Sequence, residues 1–166
     1  MGVAVQEEVE AADKPALYRE IILRLEGLFA GERNGIANAA NMSALLGEML
    51  PDLNWVGFYF LDPVSSGLVV GPFQGRPACV RIAIGKGVCG TSVAERRPII
   101  VPDVDAFPGH IACDAASRSE LVVPLLRGAE ILGVLDLDSP ILARFDEADR
   151  DGLVTAAQLF VSASDL

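Results

Sequence analysis

The chain has 166 residues, 51% hydrophobic and 22% charged, enough for one domain that buries roughly two thirds of its unfolded surface without staples. That composition is globular rather than disordered, and no run approaches the ~18 apolar residues that cross a bilayer. Thirteen Lys and Arg against twenty-three Asp and Glu give a formal charge of −10, a surface short of the cations that phosphate contacts need, which argues against nucleic acid as a partner.

The start MGVAVQEEVEAADK has neither a basic n-region nor an apolar h-region, and Gln6 stands where a myristoylation signal wants Ser or Thr. The expectation is a cytoplasmic protein with no membrane contact, a flexible stretch over 1–14 and a single domain over 15–166. Leu17, Ile21, Leu25 and Leu28 recur at helical spacing, and AGERNG closes that helix. Met42, Leu45, Leu46 and Met49 form the stripe of a second helix. Gly47 weakens it by about 1 kcal/mol relative to Ala, and Pro51 lies just beyond its end. NWVGFYFLD reads as a strand with Trp55, Gly57 and Tyr59 on one face and Val56, Phe58 and Phe60 on the other.

DPVSSG is a turn, LVVGPF a second strand and ACVRIAI a third, close enough for antiparallel hairpins. GKGVCGTSVAERR predicts a short helix opened by glycines, PIIVPDV a brief strand, and a loop then runs to about Ser119. ELVVPLL and EILGVLDLD flank the turn RGA. The chain closes on a helix begun by Asp146, with Leu153, Ala156 and Phe160 facing inward. Helices followed by hairpin-linked strands predict an α+β domain, a central antiparallel sheet of about six strands covered by helices.

Cys79, Cys89 and Cys113 are three, an odd count that argues against a disulfide framework and leaves room for redox chemistry. Their spacings, with one histidine in the chain, fit no common zinc pattern, so no metal is expected. Parity in ACVRIAI pairs Cys79 with Arg81 on a strand face, where a half-buried structural residue is as good a reading as a functional one. Cys89 falls in the first turn of its helix, where the positive dipole end favours a thiolate; a small residue fitting a glycine-rich turn explains it equally well. Cys113 sits in the loop FPGHIACDAASRSE with His110 and Arg118 close in sequence, cations able to lower a thiol pKa.

The acids form a second group. Asp136 and Asp138 share a parity, and a hairpin centred near RGA brings Glu120 to the same end of the sheet. Three converging carboxylates bind an ammonium group, each charged hydrogen bond being worth about 1.5–3 kcal/mol. Crowding raises at least one pKa, leaving an acid able to donate a proton.

Taken together, NWVGFY, GPFQGRPACVRI, GKGVCG, VPDVDAFPGHIACDAASRSELVVPL and GVLDLDS closely resemble the free methionine-(R)-sulfoxide reductases, a family of GAF-domain enzymes. The resemblance implies a GAF fold, a homodimer, and reduction of the free amino acid sulfoxide without a cofactor, with thioredoxin as external reductant. It makes Cys113 the nucleophile, Cys79 the resolving thiol and Cys89 a third pocket cysteine. Trp55 and Tyr59 become aromatic pocket residues and Glu120, Asp136 and Asp138 the substrate-binding acids. Backbone amides near GKGVCG are expected to hold the substrate carboxylate. Electrostatics alone leaves Cys89 as good a nucleophile as Cys113. The rival readings are a GAF module that senses a small molecule and a redox sensor without turnover.

Overall fold

The computed structural model describes residues 13–166, so positions 1–12 of the expected flexible start lie outside the described residues. In chain order the elements are α1 (Lys14–Phe29), α2 (Gly35–Met49), β1 (Trp55–Asp62), β2 (Gly67–Gly75), β3 (Arg81–Ala83), α3 (Gly87–Glu95) and β4 (Ile99–Val101). A 3-10 turn (Val104–Ala106), β5 (Ser119–Arg127), β6 (Glu130–Ser139) and α4 (Glu147–Ala163) follow. The expected α+β architecture is present. Six antiparallel strands lie in the order β3-β2-β1-β6-β5-β4, so the first and last hairpins meet where β1 pairs with β6 at the centre.

Helix starts follow local chemistry. Asn34 caps α2 by accepting from the Ala37 N–H, and Asp146 caps α4 in a reciprocal box with Asp149, each satisfying N–H groups that the first turn leaves orphaned. Asp149 is also buried beneath Lys14, Tyr18 and Arg144, all of which donate to it. This fastens the start of α4 to α1.

Strand alternation divides the apolar residues between two cores. On one face Val56, Phe58, Leu121, Val123, Leu125, Leu135 and Leu137 pack under α1, α2 and α4. On the other, Trp55, Tyr59, Val122 and Val134 meet Val88, Cys89 and Val93 of α3. The β1 parity is therefore as expected, as are the inward residues of α2 and α4. The stripe of α1 is rotated from the expected one: Tyr18, Ile21, Leu25 and Phe29 are buried and Leu28 is 41% exposed, because Phe29 rather than its neighbour completes the face begun by Tyr18 and stacks edge-on with Phe160.

The third strand is shorter than ACVRIAI suggests. It starts at Arg81, so Cys79 lies in the segment before it and shares no ladder face with Arg81. In that segment the Arg76 and Cys79 carbonyls accept from the Trp55 and Tyr59 side chains of β1, and only the Val80 carbonyl still accepts from β2, from the Val70 N–H.

Candidate active site

A pocket opens on the α3 side of the sheet. Its floor is built by register. Trp55 pairs with Asp138 and Gly57 with Asp136 across β1 and β6, while Glu120 pairs with Asp138 across β5 and β6. These positions share one sheet face, so the two aromatics and three acids surround a common space.

Trp55 stacks on Tyr59 with ring centroids 5.8 Å apart and on Phe73 at 5.1 Å. Gly57 makes the second stack possible, since a Cβ there would lie 2.2 Å from Phe73 Cβ. The polar ends of both aromatics hold the segment ahead of β3: Trp55 Nε1 donates to the Arg76 carbonyl at 3.1 Å and the Tyr59 hydroxyl to the Cys79 carbonyl at 3.1 Å.

That segment carries Cys79 to Cys113, and the two are joined in a disulfide with their Cα atoms 5.5 Å apart. Thirty-four residues separate them in sequence. The Cys113 loop is fastened by residues that sequence reading missed. Asn54 Nδ2 donates to Asp114 Oδ2 at 3.1 Å and to Ser117 Oγ at 3.0 Å, while the Asn54 N–H donates to the Asp138 carbonyl. Backbone donation from Ala116, then the Asn54 amide, holds the Asp114 carboxyl below its ordinary range. A lone asparagine ahead of a strand carries no sequence signal for a contact 60 residues away.

Cys89, the third residue of α3, is buried and free. Its expected activation by the helix dipole is overturned. Burial first, then the nearby Asp136 and Glu120 carboxyls, push its thiol well above the ordinary value. The dipole is worth at most about 2 kcal/mol, and a thiolate here would be buried beside the Asp136 and Glu120 carboxyls. His110 lines the pocket with Nε2 3.4 Å from Glu120 Oε2, and burial lowers its pKa against the pull of Asp105. Arg118, the other expected cation, is exposed and does not line the pocket.

The acids behave as their crowding predicts. Burial, followed by the charge of a neighbouring carboxyl, raises Glu120, Asp136 and Asp138 well above the usual range. Asp136 Oδ1 is buried with no hydrogen-bond partner. Among the described residues the lining holds no Lys or Arg but includes Asp114 and these three acids. Such a site is complementary to a cation next to a thiol-reactive group. Gly87, with φ of +60°, opens α3 at the rim of the pocket, where Ile111 of the Cys113 loop packs over it.

The family model of the GAF domain matches residues 15–163. The chain is 50% identical over 141 residues to the free methionine-R-sulfoxide reductase of Escherichia coli, covering 85% of this chain and 84% of that one. Among solved structures it resembles the free methionine-R-sulfoxide reductase of Neisseria meningitidis in complex with its substrate, at 47% identity and a TM-score of 0.88 over 92% of this chain and 90% of that one. The reduced form of fRMsr of Staphylococcus aureus matches at 49% identity and a TM-score of 0.84 over 88% and 94% of the respective chains. The chain belongs to the GAF domain family and, within it, to the free methionine-R-sulfoxide reductases.

Proposed function

We propose that this oxidoreductase converts free methionine-(R)-sulfoxide to methionine through thiol chemistry in this pocket. The observation that supports the reading most is that Cys113, bonded to Cys79, lines the same cavity as Glu120, Asp136 and Asp138. In the reduced protein the Cys113 thiolate attacks the substrate sulfur. A carboxylic acid of the trio, Glu120 being the member in contact with His110, protonates the sulfoxide oxygen. That oxygen ends on Cys113 as a sulfenic acid and methionine leaves, so the substrate sulfur gains two electrons and the cysteine sulfur loses two. Cys79 then displaces the oxygen as water and closes the disulfide. An external dithiol, thioredoxin in this reading, reopens it by thiol exchange.

The ammonium group of the substrate sits against the acids, where the unpartnered Asp136 Oδ1 awaits a donor. Trp55 and Tyr59 enclose the thioether arm, and the N–H groups that open α3 receive the carboxylate. Methionine sulfoxide within a peptide lacks that ammonium charge and leaves buried carboxyls unpaired, which excludes it. A homodimer in the cytoplasm, acting against oxidative damage to free methionine, completes the reading.

Reduced protein mixed with one equivalent of free methionine-(R)-sulfoxide and no reductant tests it. One methionine formed and two thiols lost per chain are expected. Binding without product points to the sensor reading, and thiol loss without product to the redox sensor.

A further inference from the structure

We propose that the pocket floor is also an inhibitory binding site for a thiophilic divalent cation of the Zn2+ type, held by Cys89, Glu120 and Asp136. The three come from α3, β5 and β6, and their ligand atoms lie within 4.8 Å of one another, all three side chains being buried. A tetrahedral zinc with Zn–S of about 2.3 Å and Zn–O of about 2.0–2.2 Å keeps its ligand atoms roughly 3.5 Å apart. Closing the difference needs about 1 Å of side-chain adjustment. Positions 89, 120 and 136 form no recognisable spacing, so only the folded chain reveals the set.

Asp136 Oδ1 supplies an independent pointer. It is buried without a hydrogen-bond partner although its residue lines the cavity, and an orphaned acceptor in a native interior calls for a donor or a cation. No lysine or arginine among the described lining residues can serve. One sulfur with two carboxylates is a mixed soft and hard donor set, suited to zinc or cobalt rather than to magnesium or calcium, which take oxygen ligands alone. His110 Nε2 lies 3.4 Å from Glu120 Oε2 but outside the set of mutually close ligand atoms, so solvent supplies the fourth position. The ion takes the carboxylates that the substrate ammonium needs, so it competes with substrate. Competition rests on the function proposed above; the ion site itself does not.

The test uses Co2+ as a spectroscopic probe on protein carrying the Cys79–Cys113 disulfide. In that state Cys89 is the one free thiol of a chain with three cysteines, so any thiolate-to-cobalt absorption in the near ultraviolet comes from it. One equivalent of Co2+ with that band is expected, displaced by Zn2+, absent in Cys89→Ala and at least tenfold weaker in affinity in Asp136→Asn. No band in the parent protein, an equal band in Cys89→Ala or unchanged affinity in Asp136→Asn overturns the proposal. If Cys89→Ala loses its circular dichroism signature, the near-isosteric Asp136→Asn decides alone. Free methionine sulfoxide, which the disulfide form cannot turn over, is expected to shift the cobalt titration to higher concentration. Bound cobalt indifferent to it overturns the competition and leaves the site standing.

Discussion

Glu120 and Asp138 stand directly opposite each other across the β5–β6 ladder. Like charges at paired strand positions are destabilising, and Asp136 adds a third carboxyl on the same face. All three pKa values are raised, by burial first and neighbouring carboxyls next. The folded chain therefore keeps protons that the unfolded chain releases above about pH 4. Stability conferred by the trio is fully present below that pH and is lost as pH rises through the elevated folded values.

Asp136→Asn removes one of these ionisations. Melting temperature at pH 7–8 is expected to rise, by about 2–4 °C for each kcal/mol relieved in a chain of this size. The gain should disappear near pH 3, where both states are protonated. Sulfoxide turnover is expected to fall about 10- to 150-fold, the loss of one charged hydrogen bond worth about 1.5–3 kcal/mol. Thermal melts against pH and steady-state assays on the same variant check both halves.

Asn54 acts on Cys113 through the loop, as a positioning residue. Asn54→Ala removes both donations to Asp114 and Ser117 at a cost of about 1–3 kcal/mol. The expected signature is a disulfide easier to reduce in a glutathione titration, together with a lower kcat. A stability loss with an unchanged reduction equilibrium contradicts the positioning role.

Tyr59→Phe keeps the ring stacked on Trp55 and deletes the hydroxyl that holds the Cys79 carbonyl. Disulfide closure should slow more than methionine formation, by about fivefold for ~1 kcal/mol of lost hydrogen bond. Rapid-quench thiol counting beside product analysis separates the two steps.

Two glycines are expected to respond in opposite directions. At Gly47 an added Cβ meets Val56 Cγ1 at 3.5 Å, ordinary contact, so Gly47→Ala should stabilise by up to about 1 kcal/mol. At Gly57 the same methyl meets Phe73 Cβ at 2.2 Å and Pro72 O at 2.8 Å, and Gly57→Ala should cost about 1–3 kcal/mol or more. Denaturant melts of the pair provide the comparison.

What the sequence reveals here depends on how local the physics is. The faces of β1 and the meeting of Glu120 with Asp138 follow from period-two alternation and one short turn, both local. Cys79 defeats the same reasoning because its segment satisfies itself on Trp55 and Tyr59 instead of continuing the ladder. Cys89 defeats it because a helix terminus is visible in sequence whereas burial among three carboxyls is not. Asn54 and Ser117 resemble ordinary turn residues until the loop is folded over them.

The central claim is that Cys113 is the atom that takes the sulfoxide oxygen. Its most direct test is a single turnover in the Cys79→Ser, Cys89→Ser double variant, with the product trapped by a sulfenic-acid reagent and located by peptide mass. The account predicts one methionine per chain and one trapped adduct on Cys113. Methionine formed by a Cys113→Ser variant, or no methionine and no adduct from a folded double variant that binds the sulfoxide, would contradict it.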